Sequence, residues 1–343
     1  MEKRLLITRW FGAGVQPIPI YDEASVTTAR QRVREAGQPL NLRKELVENV
    51  ALIASELTHN QLAHARQGYF AILPVEREGV KGLEVIAADI GPGLVNPALA
   101  IKGRASTAGS LGEGLAAVLR IADEVQFDSR MQEGLCVIAR KFEAPAPSPY
   151  SEIAFMGKPY PGEPISGDDG VCLTTESGIL AAVADGLGHG PEARQASSRA
   201  LESLSRNRHL ELDQIMLACN TDLIGTRGCA MNIVRFNKEN RTVECASVGD
   251  VNCHLYTQRE SHFFTATPFV LGSTLQKQRI RIEQVKAAPG SVLVVFTDGL
   301  KSRTSLKGQL DVLRQPAIVI AQHLLEGYSR PDDDVLVLVG KFR

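Results

Sequence analysis

Two short apolar runs, each ending in an Asp-Gly pair, constrain the second half of this chain more than any other feature. Residues 179–184 lead into Asp185-Gly186, and residues 292–296 lead through a threonine into Asp298-Gly299. Uninterrupted apolar runs of this length are typical of strands that are buried on both faces. A carboxylate at the end of such a strand is costly to bury unless it is paired or binds a cation. The two runs therefore predict buried strands whose ends carry a charged or metal-binding site.

Two more acidic segments accompany these strand ends. Asp168 follows Ser166-Gly167, and the acidic triplet 332–334 precedes a third apolar run, residues 335–339. If all four segments converge, roughly four negative charges share one cleft, and their repulsion favours divalent cations between them. Hard cations such as Mg²⁺ and Mn²⁺ take oxygen ligands, and two such ions can activate a water for attack on phosphorus. Each Asp-Gly alone is more typical of a turn and the triplet alone of a solvated loop, so the prediction depends on the four segments together.

Composition excludes several other classes of protein. The chain has 343 residues, 44% of them hydrophobic and 22% charged, which is the composition of a soluble globular protein long enough for two domains. A net charge of −1 gives no signal for nucleic acid or for an anionic membrane. There is no run of ~18 apolar residues and no signal-peptide pattern. The six cysteines form no Cys-x-x-Cys pair, which disfavours zinc and indicates reduced thiols in a cytoplasmic protein.

A proline-rich segment divides the chain. Residues 143–150 contain three prolines, which disfavour a helix or a central strand and predict an extended spacer. We therefore predict domains at 1–142 and 151–343, joined by a linker at 143–150. Both halves mix helical and strand patterns, which indicates the α+β class. In the first half, helices are expected near 24–36, 46–65 and 115–125, and strands near 69–73, 83–89 and 135–141. In the second half, strands are expected near 171–174, 178–184, 229–237, 242–247, 291–297 and 335–339, with a helix near 191–207.

Three short segments of the first half have the residue types of a nucleotide site. Glu56 and Asn60 are four apart on a predicted helix and so share one face. Asn60 offers an amide oxygen to magnesium, and Glu56 is placed to orient or deprotonate an attacking hydroxyl. Asp89 ends a predicted strand and offers an acceptor to an adenine amino group. Glycines around it and before the next helix let the backbone approach a ligand and its phosphates: Gly91, Gly93, Gly109, Gly112 and Gly114.

Taken singly, these segments are weak signals, because a polar helix face is usually solvated and glycine-rich segments are usually turns. In this order and spacing they resemble the N, G1 and G2 boxes of the GHKL, or Bergerat-fold, ATP-binding family over about residues 22–142. The likeness is to serine kinases of partner-switching systems, of the RsbT and RsbW type. It implies an α/β sandwich with helices on one face of a mixed sheet, and ATP with Mg²⁺ as cofactor. By the same resemblance Glu56 is the catalytic base, Asn60 the magnesium ligand and Asp89 the adenine reader. Glu113 departs from the pattern, since these kinases usually carry a small or apolar residue there.

The acidic segments of the second half also resemble a known family. Ser-Gly-Asp at 166–168, Ala-Asp-Gly-Leu-Gly-His-Gly at 184–190, Thr-Asp-Gly at 297–299 and the terminal acidic triplet are similar to motifs of the PPM phosphatases, in their SpoIIE, RsbU and RsbX branch. The likeness spans about residues 153–342 and implies an α-β-β-α sandwich that binds two Mn²⁺ or Mg²⁺ ions. Catalysis is then expected from Asp185 and Asp298. The implied metal ligands are Asp168, Asp185, the carbonyl of Gly186, Asp298 and Asp332.

Three points within this second resemblance are less determined. The terminal ligand is open between Asp332 and Asp333, and strand alternation counted from Val335 favours Asp332. Asp250 stands where the subgroup often has asparagine, and we interpret it as a structural turn residue. His189 is interpreted as a loop histidine, because magnesium-type sites do not require imidazole.

Together the two resemblances predict a cytoplasmic bacterial signalling protein. It would fuse a serine-kinase-like ATP-binding domain to a metal-dependent phosphatase whose substrate is a phosphoserine or phosphothreonine on a STAS-type antagonist or scaffold protein. The alternative is that the first domain is a non-catalytic, nucleotide-gated module that binds a protein, as anti-sigma factors do. The choice between Mg²⁺ and Mn²⁺ stays open, as does the oligomeric state, for which the kinase relatives suggest a homodimer.

Overall fold

The computed structural model of the chain describes residues 10–11, 14–65, 68–102, 114–145, 148, 150–273 and 279–343. Gly109, Gly112 and Glu113 lie outside these ranges. The chain forms two compact units, Met1–Ser151 and Glu152–Arg343, called unit 1 and unit 2 below.

The described strands of unit 1 form an antiparallel sheet. Its strands are β1 (Ile18–Ile20), β2 (Gly68–Arg77), β3 (Val80–Asp89), β4 (Glu124–Arg130) and β5 (Gly134–Phe142), in the spatial order β1-β2-β3-β5-β4. Glu78 and Gly79 form the β2–β3 turn with φ of 49° and 80°. The resemblance implied a mixed sheet, but all four of these pairings are antiparallel. Two of the four, β2–β3 and β4–β5, are hairpins, and a hairpin can join only antiparallel strands.

Two long helices cover this sheet and pack against each other. They are α1 (Glu23–Gly37) and α2 (Lys44–His64), followed by the shorter α3 (Pro97–Ile101) and α4 (Gly114–Ile121). The first begins at a capping box, in which the Ser25 amide donates to Asp22 Oδ1 over 2.8 Å and the Asp22 amide donates to Ser25 Oγ over 3.1 Å. The second buries an apolar stripe at helical spacing, Leu46, Val50, Ile53 and Leu57.

One predicted helix is too long at its C-terminal end. The helix expected to reach Val125 stops at Ile121, and β4 starts at Glu124. Val125 and Phe127 are both buried in β4, so a two-residue alternation takes over where a helical continuation was expected.

Two described residues of the segment predicted as an extended spacer, Ser148 and Tyr150, contact unit 1. Ser148 Oγ donates to Glu124 Oε1 over 2.6 Å, and Arg140 Nη1 donates to the hydroxyl of Tyr150 over 2.7 Å. Tyr150 is 1% exposed, and the boundary between the units falls after Ser151. The proline-rich composition of this segment does not prevent the side chain of Tyr150 from filling a place in the core.

Unit 2 contains two sheets. In chain order its strands are β6 (Tyr150–Lys158), β7 (Asp168–Thr175), β8 (Gly178–Gly186), β9 (Cys229–Asn237), β10 (Thr242–Val248), β11 (Asn252–Tyr256), β12 (Ser261–Phe263), β13 (Ile282–Lys286), β14 (Val292–Phe296) and β15 (Val335–Phe342). One sheet has the order β6-β15-β14-β11-β12 and the other the order β13-β10-β9-β8-β7. Phe236 of β9 stacks on Phe342 of β15 with ring centroids 4.2 Å apart, so the two sheets face each other.

Helices cover both outer faces of this pair of sheets. Helices α5 (Gly190–Arg206) and α6 (Leu212–Asp222) pack on the β7–β10 sheet, and α8 (Ala317–Tyr328), which follows the short α7 (Leu310–Leu313), packs on β15. The run 179–184 in β8 is buried throughout, and its alternate residues Leu180, Ala182 and Ala184 join the core under α5 and α6. The α-β-β-α arrangement and the α+β class are thus as predicted. None of the helices in the described ranges combines the length and apolarity needed to cross a lipid bilayer.

Candidate metal centre and nucleotide site

Two of the predicted carboxylates face each other on neighbouring strands of unit 2. Asp168 is the first residue of β7 and pairs across the ladder with Asp185, the residue before the last one of β8. Side chains directly opposite in an antiparallel pair are within about 4.5–5.5 Å of each other at Cβ. Burial raises the pKa of Asp168 to about 8, and neighbouring carboxylates add to this while a hydrogen bond from Thr297 opposes it. Burial and nearby carboxylates also raise the pKa of Asp185 well above its usual range.

The other acidic residues meet this pair at a cavity of about 220 Å³. Asp185, Asp298 and Asp333 all line it. Asp168 lies behind them and is 1% exposed. The carboxylates of Asp334, Asp298 and Asp333 raise the pKa of Asp168. Asp168, Asp298 and Asp333 also raise the pKa of Asp185, so these four groups form one electrostatic cluster with Asp334 beside it.

The structure places Asp333, not Asp332, in this cluster. Asp332 is exposed and does not line the cavity, whereas Asp333 is half-buried there and its pKa is raised, first by burial and then by Asp298. The next residue explains the one-position difference. Asp334 is buried, and its Oδ1 accepts a hydrogen bond from the Tyr160 amide over 2.7 Å. This contact fixes the chain before β15 so that Asp333 reaches the cavity, which corrects the expectation that favoured Asp332.

Contacts from other elements hold the loop that carries Asp168. Its amide donates to Ser166 Oγ over 3.1 Å, and its Oδ2 accepts from Thr297 Oγ1 over 2.8 Å. From α5, Arg194 Nε donates to the Ser166 carbonyl over 2.8 Å, and Ser197 Oγ donates to the residue 167 carbonyl over 2.6 Å. Sequence reasoning missed these residues. The signal available in the sequence was an arginine and a serine three residues apart, and therefore on one face, of a predicted alanine-rich helix.

The donor set fits hard divalent cations. All four carboxylates offer oxygen, and Oδ2 of the neighbouring Asp334 is buried without a hydrogen-bond partner in the described structure. Gly186, the proposed carbonyl ligand, is buried at the end of β8, where an added Cβ would lie 2.0 Å from the Ala193 carbonyl oxygen. Within the same ranges no three His, Cys, Asp or Glu side chains are grouped to hold one ion. Magnesium is suited by one or two carboxylate ligands, with carbonyl oxygens and waters at its other coordination positions.

Two further features of the cavity were not expected as site residues. Tyr160 stacks on His189 at a centroid distance of 4.2 Å, and His189 Nδ1 lies 2.8 Å from Glu163 Oε1. Asp250 lines the cavity as well, although its carbonyl also accepts from the Asn252 amide side chain over 2.9 Å as expected of a turn residue.

In unit 1 the structure brings Glu56 and Asn60 against the start of α4. A Cβ added at Gly114 would lie 3.0 Å from Glu56 Oε2 and 3.5 Å from Asn60 Nδ2. Both side chains belong to half-buried residues on the same face of α2. Gly114 therefore leaves open the space in front of the two polar groups that were expected to meet ATP and magnesium.

Asp89 lies beside the C-terminal end of the same helix. It ends β3, and its Oδ1 accepts from the Gly91 amide over 2.8 Å. A Cβ at Gly91 would lie 3.0 Å from Ala65 Cβ, five residues or about 7.5 Å along the helix from Asn60. Burial raises the pKa of Asp89 to about 6, while backbone hydrogen bonds oppose the shift. Gly93 takes a φ of 79° in the following turn, where a Cβ would lie 2.7 Å from the Arg130 carbonyl oxygen.

Comparison with known proteins matches both halves of the chain. Residues 175–343 match the family model "Stage II sporulation protein E (SpoIIE)", and residues 21–141 match the model "Histidine kinase-like ATPase domain". The chain is similar to "Serine/threonine-protein kinase RsbT" of Bacillus subtilis (strain 168), with 33% identity over 125 residues, 36% of this chain and 94% of that protein. It is also similar to "Phosphoserine phosphatase RsbX" of the same organism, with 27% identity over 141 residues, 40% of this chain and 69% of that protein.

A solved structure gives a similar result. One chain of "The bacterial stressosome: a modular system that has been adapted to control secondary messenger signaling" has 28% identity and a TM-score of 0.52, and the match covers 55% of this chain and 97% of that one. The two family matches fall on opposite sides of the boundary between unit 1 and unit 2.

Proposed function

The chain belongs to two families, the histidine kinase-like ATPases over residues 21–141 and the SpoIIE phosphatases over residues 175–343, and we propose that its two units act on one partner protein. Unit 2 is a serine/threonine phosphatase domain of the PPM type. Its proposed substrate is a phosphoserine or phosphothreonine of a small STAS-type antagonist or scaffold in a partner-switching pathway. The names of the two relatives, a serine/threonine-protein kinase and a phosphoserine phosphatase, support this assignment.

The observation that carries the proposal is the cluster of four carboxylates around one cavity. Asp168 and Asp185 are ladder partners, and Asp298 and Asp333 complete the cluster. We propose that these four residues, with the Gly186 carbonyl, hold two Mn²⁺ or Mg²⁺ ions. When bound, such ions neutralise phosphate charge and lower the pKa of a water for attack on phosphorus.

The size of the cavity supports a protein substrate. Its volume of about 220 Å³ is below the ~300–1,000 Å³ typical of sites that enclose a drug-sized ligand. A phosphorylated serine or threonine side chain fits such a cavity while the rest of the substrate stays on the surface. The residues of the chain have three tasks in this scheme: they hold the cations, orient the phosphate and exclude bulk water from it.

Phosphate release from a phosphoserine peptide and from an aryl phosphate tests this assignment. We expect hydrolysis that depends on Mn²⁺ or Mg²⁺, and a loss of at least about 10³-fold in Asp185→Asn and Asp298→Asn, about 4 kcal/mol of transition-state stabilisation. Asp311→Asn, which changes an exposed carboxylate on α7, is the matched control. Absence of hydrolysis by the unaltered protein, or equal hydrolysis by all variants, would contradict the proposal.

For unit 1 we propose binding of ATP with Mg²⁺. Asn60 would hold the magnesium ion, Glu56 would orient or deprotonate the accepting hydroxyl, and Asp89 would accept from the adenine amino group. The proximity of Glu56 and Asn60 to Gly114 and the burial of Asp89 support these roles. The backbone at Gly91 and Gly93 would approach the nucleotide, as would that at Gly109 and Gly112, which lie outside the described ranges.

Labelled ATP separates phosphate transfer from nucleotide-gated binding. Label that appears in a STAS-type partner, and that Glu56→Gln abolishes while ATP still binds, would establish a kinase. A stable ATP-dependent complex without transferred label would establish the binding module instead. We also propose a cytoplasmic location, which the free state of all six cysteines supports.

A further inference from the structure

We propose that Arg227 binds the phosphate group of the substrate at the wall of the unit 2 cavity, an inference that rests on the proposed phosphatase activity. Arg227 immediately precedes Gly228 and the start of β9. That strand pairs with β8, and Ala230 is the ladder partner of Asp185. The arginine therefore stands at the same end of the sheet as the acidic cluster, three residues from the partner of its central carboxylate.

A glycine on the cavity wall makes room for the guanidinium group. Gly188 lines the cavity and has a φ of 86°, a backbone conformation that favours glycine. A Cβ added there would lie 2.9 Å from Arg227 Nη1. The guanidinium thus occupies the space beside the cavity wall that a side chain at position 188 would take.

The arginine is also weakly held. Its Nη2 is 3.6 Å from Glu192 Oε2, and the two side chains are 47% and 65% exposed. A charged hydrogen bond is normally about 2.7–2.9 Å long, and exposed ion pairs contribute little stability, so a phosphate can readily replace Glu192 as the partner. The other arginines near the cavity are engaged differently. Arg194 Nε donates to the Ser166 carbonyl, and Arg330 lowers the pKa of Asp333.

The chemistry of the ligand favours this residue. A phosphate monoester must approach a cluster of carboxylates, and a cation at the rim attracts it and offsets part of the repulsion that the bound metal ions do not cancel. Arginine presents a planar fork that bonds two phosphate oxygens at once, which a lysine cannot do. These oxygens carry charge in the bound substrate as well as during transfer. The contact therefore strengthens substrate binding more than it accelerates the chemical step, and its loss raises KM more than it lowers kcat.

Steady-state kinetics of Arg227→Gln and Arg227→Lys in the full chain test the inference. With both a phosphoserine peptide and p-nitrophenyl phosphate, we expect Arg227→Gln to raise KM at least about tenfold and to change kcat less than about threefold. The inhibition constant of inorganic phosphate should rise in parallel. Arg227→Lys should have KM and phosphate inhibition constants between those of the unaltered protein and those of Arg227→Gln. Arg206→Gln is the control, because Arg206 is 61% exposed, pairs with Asp222 and lies about 24 Å along α5 from Gly190.

The outcomes separate this inference from the proposed function. An inactive unaltered protein would remove the phosphatase assignment itself. An active protein whose KM and phosphate inhibition are unchanged in Arg227→Gln would overturn only the role of Arg227. A rise in KM for the peptide alone would also overturn it, because the guanidinium would then contact the polypeptide and not the phosphate. If Arg227→Gln fails to fold by circular dichroism, Arg227→Lys decides the question, since an unchanged phosphate inhibition constant there contradicts bidentate binding.

Discussion

Asp89 of unit 1 and Asp168 of unit 2 are both buried carboxyl groups at a strand terminus, and their surroundings differ. Asp89 of unit 1 is 9% exposed and Asp168 of unit 2 is 1% exposed. Burial is the largest cause of both raised pKa values, to about 6 for Asp89 and about 8 for Asp168. Around Asp89 the backbone N–H groups of Gly91 and Leu135 and the charge of His64 lower the pKa and so oppose the effect of burial. Around Asp168 the carboxylates of Asp334, Asp298 and Asp333 raise the pKa further.

These different surroundings favour different ligands. A carboxyl that already accepts backbone hydrogen bonds, and whose pKa no described carboxylate is named as raising, is suited to one more neutral donor, such as an adenine amino group. A cluster of carboxylates is stable in its charged form only with cations between its members. An aspartate at a strand terminus thus has a different proposed role in each unit: recognition of a base for Asp89, the last residue of β3, and metal binding for Asp168, the first residue of β7.

The largest expected effect tests the composition of the acidic cluster. Asp333→Asn should reduce metal-dependent phosphate release by about 10³-fold, because it removes a charged oxygen from the cavity that the cations require. Asp332→Asn is the matched control one residue away, and it should change the rate less than about twofold because its side chain is exposed. Steady-state hydrolysis of an aryl phosphate measures both. A large loss in Asp332→Asn with little loss in Asp333→Asn would reverse the assignment.

This pair of residues also shows how far the sequence could predict the site. Asp185 and Asp298 were found because each ends a buried apolar run, a signal that lies within a few residues. The choice between Asp332 and Asp333 depends on a hydrogen bond between Asp334 and the Tyr160 amide, which are 174 residues apart. Strand alternation counted from Val335 does not include that contact, so the local pattern favoured Asp332, which does not line the cavity.

The prediction of the fold had the same limit: features set by local sequence were predicted, and features set by distant contacts were not. The mixed helix-and-strand class and the stripe on α2 follow from periodicity, and both are confirmed. The helix α4 was predicted to continue to Val125 and β4 was not predicted, because Val125 fits either a helix or a strand until its burial is known. Tyr150 was assigned to an extended spacer, because its contact with Arg140 is not visible from a run of prolines.

The second prediction tests the isolated carboxyl of unit 1. Asp89→Asn should weaken ATP binding about tenfold to hundredfold, since a charged acceptor is worth about 1.5–3 kcal/mol to its donor. The phosphatase activity of unit 2 should be unchanged. A fluorescent ATP analogue measures the affinity, and Glu35→Gln, an exposed change on α1, is the control. Equal affinity in all three proteins would exclude Asp89 from the nucleotide site.

The pH dependence of the same binding reaction sharpens this test. Because the pKa of Asp89 is raised to about 6, its carboxyl is protonated below that pH and loses its charge as an acceptor. ATP affinity should therefore fall by about tenfold as the pH decreases from 7 to 5, beyond any change in Asp89→Asn. A parallel pH profile in the two proteins would contradict the assignment.

The third prediction concerns the stability of the metal-free cluster. The pKa of Asp168 in the folded protein lies above its usual value, so the folded state binds the proton more tightly than the unfolded state. This stabilisation is complete below about pH 4 and is lost as the pH rises through about 8. Metal-free protein should therefore melt at lower temperature at pH 8 than at pH 5.5. Saturating Mg²⁺ should raise Tm by about 5–10 °C at pH 8 and by less at pH 5.5. An increase in Tm on adding Mg²⁺ that does not vary with pH would mean that the cations bind away from this cluster.

The smallest expected effect concerns the hydrogen bonds that the two carboxyl groups accept, which come from different kinds of donor. Asp89 accepts from backbone amides, which no substitution of a neighbouring side chain removes. Asp168 accepts from the hydroxyl of Thr297, which in turn accepts from the Leu336 amide over 2.9 Å. Thr297→Val should destabilise unit 2 by about 1–3 kcal/mol, because it leaves a buried amide and a buried carboxyl without their partner.

The same substitution should also change the pH dependence of stability. The Thr297 hydrogen bond lowers the pKa of Asp168, so its removal raises that pKa further and moves the loss of metal-free stability to higher pH. Thr304→Val is the matched control, because Thr304 is 3% exposed and its hydroxyl donates to the Lys301 carbonyl, which carries no titrating charge. It should lower Tm without moving the pH profile. If both variants lower Tm and neither moves the profile, the threonine stabilises the strand end alone, and the electrostatic contrast between the two units does not depend on it.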